Sequence, residues 1–231
     1  MTCYHGKRYV AFAFVNLFFI LFGRAAVTNE HHEIKSYIPS TIPIDNQNWN
    51  ISQSPVNGLV YFANSDGLIE YNGITKKIYH LPYRKGVRSV LADAKGNIFT
   101  GSFEDFGVWR LAPSGQLVYQ SLTKDIQIEK NDEIWKIYSS SGKIYFQSFT
   151  TIYCYDFQKI EKVKSPFTML FLFQVGNYFI AQVLNHGLYW FDGKRFDYIP
   201  GSELFRTREI HSIIQDKEKK LNQGKTNKRN E

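Results

Sequence analysis

Between residues 48 and 216 apolar and polar positions alternate in runs of about five to seven residues, broken by Gly, Asn or Asp. A period of two over such short spans predicts β-strands rather than helices. The runs also recur as a set. NWNISQS from Asn48, VRSVLAD from Val87, IWKIYSS from Ile134, LFLFQVG from Leu170 and IHSIIQD from Ile210 open successive units. In this alignment Trp49, Arg88, Trp135, Phe171 and His211 are equivalent, with separations of 39, 47, 36 and 40 residues. Each of the first four runs leads through a Gly into a second strand, at Gly58, Gly96, Gly142 and Gly176. A third strand follows at Gly67, Gly107, Thr151 and Gly187, where the glycines are expected to supply the positive φ of a tight turn. Weaker fourth strands, such as KKIYHL and QLVYQSL, close each unit.

Four short strands in about 40 residues form the repeat of a β-propeller blade. One such unit cannot bury both its faces, so neighbours must stack on it. The expected fold is all-β: an arc of four four-stranded blades, at 48–84, 87–125, 133–167 and 170–207. The first strand of a fifth begins at 209, and the arc reads as part of a larger ring of about seven blades. After Asp216 the chain runs KEKKLNQGKTNKRNE, charged and without apolar alternation, so 217–231 is expected to lie outside the fold. The break reads as a truncation or a change of frame within the fifth blade.

The opening residues follow another pattern. Lys7 and Arg8 precede an apolar run from Tyr9 to Phe22, and Gly23-Arg24-Ala25 offers small residues for cleavage. Residues 1–25 thus read as a signal peptide for export, with an uncleaved N-terminal anchor as the alternative. The run is shorter than the roughly 20 residues of a membrane span. No later stretch is apolar enough to be one, and residues 26–47 are a lead-in to the first blade.

The chain carries a formal net charge of +7, which raises the question of nucleic acid. The excess sits at the two ends. Lys7, Arg8 and Arg24 belong to the leader, and the stretch from Asp216 holds six basic residues against three acidic ones. What remains is close to neutral, so no nucleic-acid face is expected. Of the two cysteines only Cys154 follows the leader, and its apolar run, IYCY, marks it as a buried thiol without a disulfide partner.

No catalytic constellation emerges, and neither a metal nor another cofactor is expected. The six histidines lack metal-ligand spacing. Glu104 and Asp105 are adjacent, and neighbours along a strand point to opposite faces. A binding site is better motivated. Propeller ligands lie over the central channel, reached by the entrances of the innermost strands and by the loops between second and third strands. The entrances hold Trp49, Arg88, Trp135 and His211; the loops hold Asn64, Asp66, Glu104, Asp105 and His186. Aromatic faces beside carboxylates, amides and Arg suit a sugar, whose C–H faces stack while its hydroxyls need several polar partners. Packing of Trp49 and Trp135 between blades is the competing explanation.

The segments GLVYFANSDGLIEYNG (58–73), VRSVLADAKGNIFTGSFEDFGVW (87–109), DEIWKIYSSSGKIYFQSF (132–149) and PGSELF (200–205) carry a family resemblance. They resemble the two-component regulator propellers of Bacteroidetes-type membrane sensors, in the branch whose propeller precedes a triple-tyrosine sandwich domain. The resemblance covers residues 42–216. It implies a periplasmic ligand-binding propeller whose ligands are glycan-derived oligosaccharides, upstream of a histidine kinase or DNA-binding output that is not among these 231 residues. Two other readings stay open: a secreted, monomeric binding or scaffolding module working by itself, and a propeller lyase or glycosidase. Separately, the blade edge left at the end of the arc is a candidate route to self-association.

Overall fold

The computed structural model describes residues 44–215 and 221–223. The leader, the lead-in as far as residue 43 and most of the charged tail lie outside the described residues. Sixteen strands form four separate antiparallel meanders, each with spatial order one-two-three-four. Blade 1 holds β1 (Asn48–Gln53), β2 (Val60–Asn64), β3 (Gly67–Tyr71) and β4 (Lys76–Tyr79). Blade 2 holds β5 (Val87–Ala92), β6 (Ile98–Ser102), β7 (Asp105–Leu111) and β8 (Leu117–Ser121). In blade 3 come β9 (Lys136–Ser140), β10 (Lys143–Gln147), β11 (Thr151–Tyr155) and β12 (Ile160–Lys164). Blade 4 is β13 (Met169–Val175), β14 (Tyr178–Val183), β15 (Gly187–Phe191) and β16 (Phe196–Tyr198).

The expected start of a fifth blade is present as β17 (Ile213–Gln215), and it has a partner where the sequence pattern expected none. Leu221–Gln223 pairs with it antiparallel as β18. A two-strand ladder is made by backbone groups, so it forms without the apolar alternation that revealed the other strands.

Period-two alternation delivers side chains to both faces of each blade, and both become interfaces. On β6 Ile98 faces blade 1, joining Tyr61, Ala63, Val90 and Trp109, while its neighbour Phe99 faces blade 3. There it meets Phe106, Val108, Ile137, Ile144, Phe146 and Tyr153. Tyr145, Ile152 and Cys154 of blade 3 then pack on Met169, Phe179 and Phe191 of blade 4. The last cluster, Ile180 and Leu188 with Ile210, joins blade 4 to the segment that opens the fifth.

The first strands run next to one another along the inner edge, β1 against β5, β5 against β9, and β13 against β17. Blades 2, 3 and 4 also hold the lead-in of the blade that follows. The Ile134 amide donates to the Ser102 carbonyl at 3.1 Å and the Met169 amide to the Phe149 carbonyl at 2.7 Å. For the fifth blade a side chain does this work: Gln182 accepts from the Ile210 amide at 3.0 Å and donates to the carbonyls of Phe205 and Arg208. These contacts fix where β9, β13 and β17 begin.

One glycine departs from expectation. Gly187 has the positive φ of a turn (97°), but Gly107 lies inside β7 without one. A Cβ there would collide with the Gln120 carbonyl and the Tyr119 ring, so close approach of β8 is what requires glycine.

Cys154 is 2% exposed, and burial pushes its thiol up to about 12. The thiolate is the reactive form. Iodoacetamide at pH 8 is therefore expected to leave Cys154 unlabelled in the native protein and to modify it only after denaturation. Rapid native labelling of Cys154 would show that the interface between blades 3 and 4 opens.

Candidate binding site at the inner-strand entrances

The inner strands begin with a shared irregularity. In blade 1 Asn48 pairs with Asn64 and Asn50 with Ala63, so Trp49 is an extra residue in the ladder. Arg88 is the extra residue between Val87 and Ser89, and Leu170 between Met169 and Phe171. Such bulges turn a side chain away from its expected face. In blade 3 Trp135 sits just ahead of β9, and its amide donates to the Gln147 carbonyl at 2.9 Å. Buried Val87, Ile134, Met169 and Ile210 precede these positions. The equivalent residues are therefore Trp49, Arg88, Trp135, Leu170 and His211. Leu170 replaces Phe171, because the unbroken LFLF run offers no alternation from which to set the alignment.

Three of these residues meet. The Arg88 guanidinium lies 4.1 Å from the Trp49 ring centroid and 5.9 Å from that of Trp135. The two indoles themselves make an edge contact, 5.8 Å between centroids at 73°. Trp135 passes the contact on to Phe149 at 5.4 Å. Glu133 binds the Arg88 Nε, with both side chains partly exposed at 26% and 20%. The Trp49 indole donates to the Ser65 hydroxyl at 3.1 Å, whereas the buried Trp135 Nε1 has no protein acceptor. Indole faces attract the guanidinium through their quadrupole, and Glu133 fixes its orientation. The outcome is a half-buried aromatic wall with a cation held at its centre.

Most of the loop candidates serve the fold instead. Asn64 is fully buried, and its Nδ2 donates to the Asp45 and Gln47 carbonyls and to Asn48 Oδ1. With no exposed surface and its amide engaged within the protein, Asn64 holds the lead-in to β1 and is not the ligand contact expected from the sequence. Asp66 Oδ2 accepts from the Asp45 amide at 2.6 Å, and Glu104 Oε1 from the Asn131 amide at 2.7 Å. Asp105 takes three hydroxyls, from Tyr119, Ser121 and Thr123, at 2.7 to 2.9 Å. Burial, then this carboxylate, pushes the Tyr119 phenol far above its ordinary value. Glu104 and Asp105 thus point to separate partners. His186 stacks on Phe167 at 3.5 Å, and His211 is exposed. Neither joins the Trp49–Arg88–Trp135 contacts.

Glu133 and Phe149 belong to the wall but were not singled out from the sequence. Glu133 precedes its strand, where alternation gives no cue. Phe149 had a signal: it occupies the same loop position as Phe103, Leu184 and Ser65. Phe103, Phe149 and Leu184 are 43%, 37% and 42% exposed, so the loop tips carry an apolar row beside the wall.

Four meandering four-stranded sheets, stacked face on face with their first strands innermost, define an arc of a β-propeller. Solved propellers share this arrangement. The extracellular domain of a B. thetaiotaomicron protein described as a hybrid two-component system aligns over 82% of this chain and 27% of its own, at 14% identity and TM-score 0.59. Virginiamycin B lyase from Staphylococcus aureus aligns over 77% and 64%, at 16% identity and TM-score 0.57. The WD40 propeller domain of Doa1 aligns over 74% and 58%, at 13% identity and TM-score 0.54. The chain thus spans about a quarter of the first of these and under two thirds of the other two. At such identities the likeness establishes the fold. No family model and no curated protein matches the sequence. Among the described residues no helix is long and apolar enough to cross a membrane.

Proposed function

We propose that this propeller is the ligand-sensing region of an exported sensor of the two-component type, and that its ligand is a glycan-derived oligosaccharide. The observation that carries the reading is the wall at the inner-strand entrances. Trp49 and Trp135 offer flat apolar faces, and Arg88 and Glu133 set hydrogen-bonding groups between them. Flat faces bordered by polar groups suit a pyranose, which presents C–H faces and a rim of hydroxyls. The extracellular domain that shares the fold, itself described as part of a two-component system, supports the sensor role.

The test is a screen of plant and host oligosaccharides by calorimetry on the purified protein, followed by substitution. Trp135→Ala is expected to weaken the best ligand at least about tenfold, the scale of a central aromatic contact. Arg88→Ala is expected to do the same, with the unfolding midpoint little changed. Binding that survives both substitutions would place the site elsewhere. Turnover of a saccharide would favour an enzymatic propeller, and no binding at all would count against the sensor reading.

A further inference from the structure

The face that blade 4 turns toward the fifth blade is covered along its inner half and open along its outer half. Ile210 and Ile213 cover Ile180 and Leu188 near the inner strands. Further out, Tyr178 and Trp190 are 64% and 37% exposed, at an edge contact of 6.4 Å. With Phe191, Asp192 and Asp197 they line a hollow of about 370 Å³.

The internal repeat says what this position receives elsewhere. Strand pairing makes Tyr178, Ile180 and Trp190 equivalent to Lys143, Tyr145 and Cys154 in blade 3. There the hollow is filled by the turn between the third and fourth strands of blade 4. Cys154 Sγ reaches the Gly193 carbonyl at 3.6 Å, and a Cβ on Gly193 would lie 3.1 Å from the Tyr145 hydroxyl. One blade earlier, Phe157 of the corresponding blade 3 turn packs on Phe99 at 6.2 Å. Both turns are built alike. Asp156 accepts from the amides of Gln158 and Lys159, and Asp192 from those of Lys194 and Arg195. β17 and β18 occupy the places of a first and second strand, leaving those of a third and fourth without an occupant among the described residues.

We propose that the Tyr178–Trp190 hollow is the docking seat for the third-and-fourth-strand hairpin of a further blade. The hairpin pairs with the edge of β18 that has no partner among the described residues, and sets an aspartate- or asparagine-headed turn against Trp190. Asp192 and Asp197 at the rim are paired with Arg195 of their own turn, so the Tyr178 and Trp190 rings are the surface offered to the incoming turn.

This chain supplies a probe of the right chemistry. Residues 67–79 of blade 1 form such a hairpin, with Asn72 accepting from the amides of Ile74 and Thr75, Ile74 89% exposed at the tip, and Lys76 and Lys77 following. A cyclised peptide of residues 67–79, which contains no tryptophan, is titrated into the full chain labelled with fluorotryptophan. The ¹⁹F resonance of Trp190 is assigned with Trp190→Phe. The expected result is a saturable shift of that resonance alone, with Tyr178→Lys weakening the peptide at least tenfold and a scrambled cyclic peptide without effect. Three outcomes would overturn the proposal: no shift at millimolar peptide, a shift produced by oligosaccharides instead, or a shift that follows protein concentration without peptide, which would make a second copy the occupant.

Discussion

Phe146→Ala is expected to destabilise the protein by about 3–5 kcal/mol, the range for removing a fully buried aromatic ring. Phe146 has no exposed surface and joins two blades. Its ring stacks on Phe106 at 4.2 Å and meets Phe99 edge-on at 6.1 Å. Phe106 in turn contacts Tyr153 at 5.1 Å, so truncation empties the middle of an aromatic layer. The surrounding strands are held by ladders on both sides and cannot collapse inward to refill the space. Urea unfolding followed by circular dichroism is the measurement. A lower midpoint with an unchanged slope is the expected signature. A biphasic transition would be equally informative, since it would mean that blades 1–2 and 3–4 unfold separately once their shared layer is cut. A loss below about 1 kcal/mol would contradict the packing described.

The second large effect falls on Asn64. Replacing it with Ala is expected to cost about 3 kcal/mol, the upper range for stranding buried polar groups. Its Nδ2 donates to the Asp45 and Gln47 carbonyls ahead of β1 and to Asn48 Oδ1 at its start, and its Oδ1 accepts from the Asp66 amide at 2.9 Å. Asn64→Asp is expected to be no better. It keeps the acceptor for Asp66 but faces the Asp45 and Gln47 carbonyls with negative charge. The contrast with the entrance residues is the useful comparison. Arg88→Ala should lower ligand affinity and leave stability nearly intact, whereas Asn64→Ala should lower stability and leave the affinity of the folded fraction unchanged. If Asn64→Ala weakened binding without moving the unfolding midpoint, the structural role assigned to its amide would be wrong.

These two residues also show what could be read before any coordinates. Phe146 was legible as a core strand position because both faces of a blade are buried, so apolar residues stand at three successive positions, Ile144 to Phe146, of GKIYFQ. Trp49, Arg88 and Trp135 could be aligned because the strands that follow them alternate cleanly. Leu170 could not, since LFLF fits two alignments equally. Asn64 was misleading for a different reason. A polar turn residue has the same chemistry whether it binds its own backbone or a ligand, and only burial separates the two. β18 was hidden because a three-residue edge strand is specified by backbone pairing alone.

The bulges at Trp49, Arg88 and Leu170 have an evolutionary corollary. The ladder on either side of each is pinned by its neighbours, Asn48 and Asn50, Val87 and Ser89, Met169 and Phe171. The side chain between them answers to no cross-strand partner, so it can be exchanged without shifting the sheet. If the entrances bind a ligand as proposed, a lineage built on this repeat can change the chemistry at its mouth while the ladders of the scaffold stay constant.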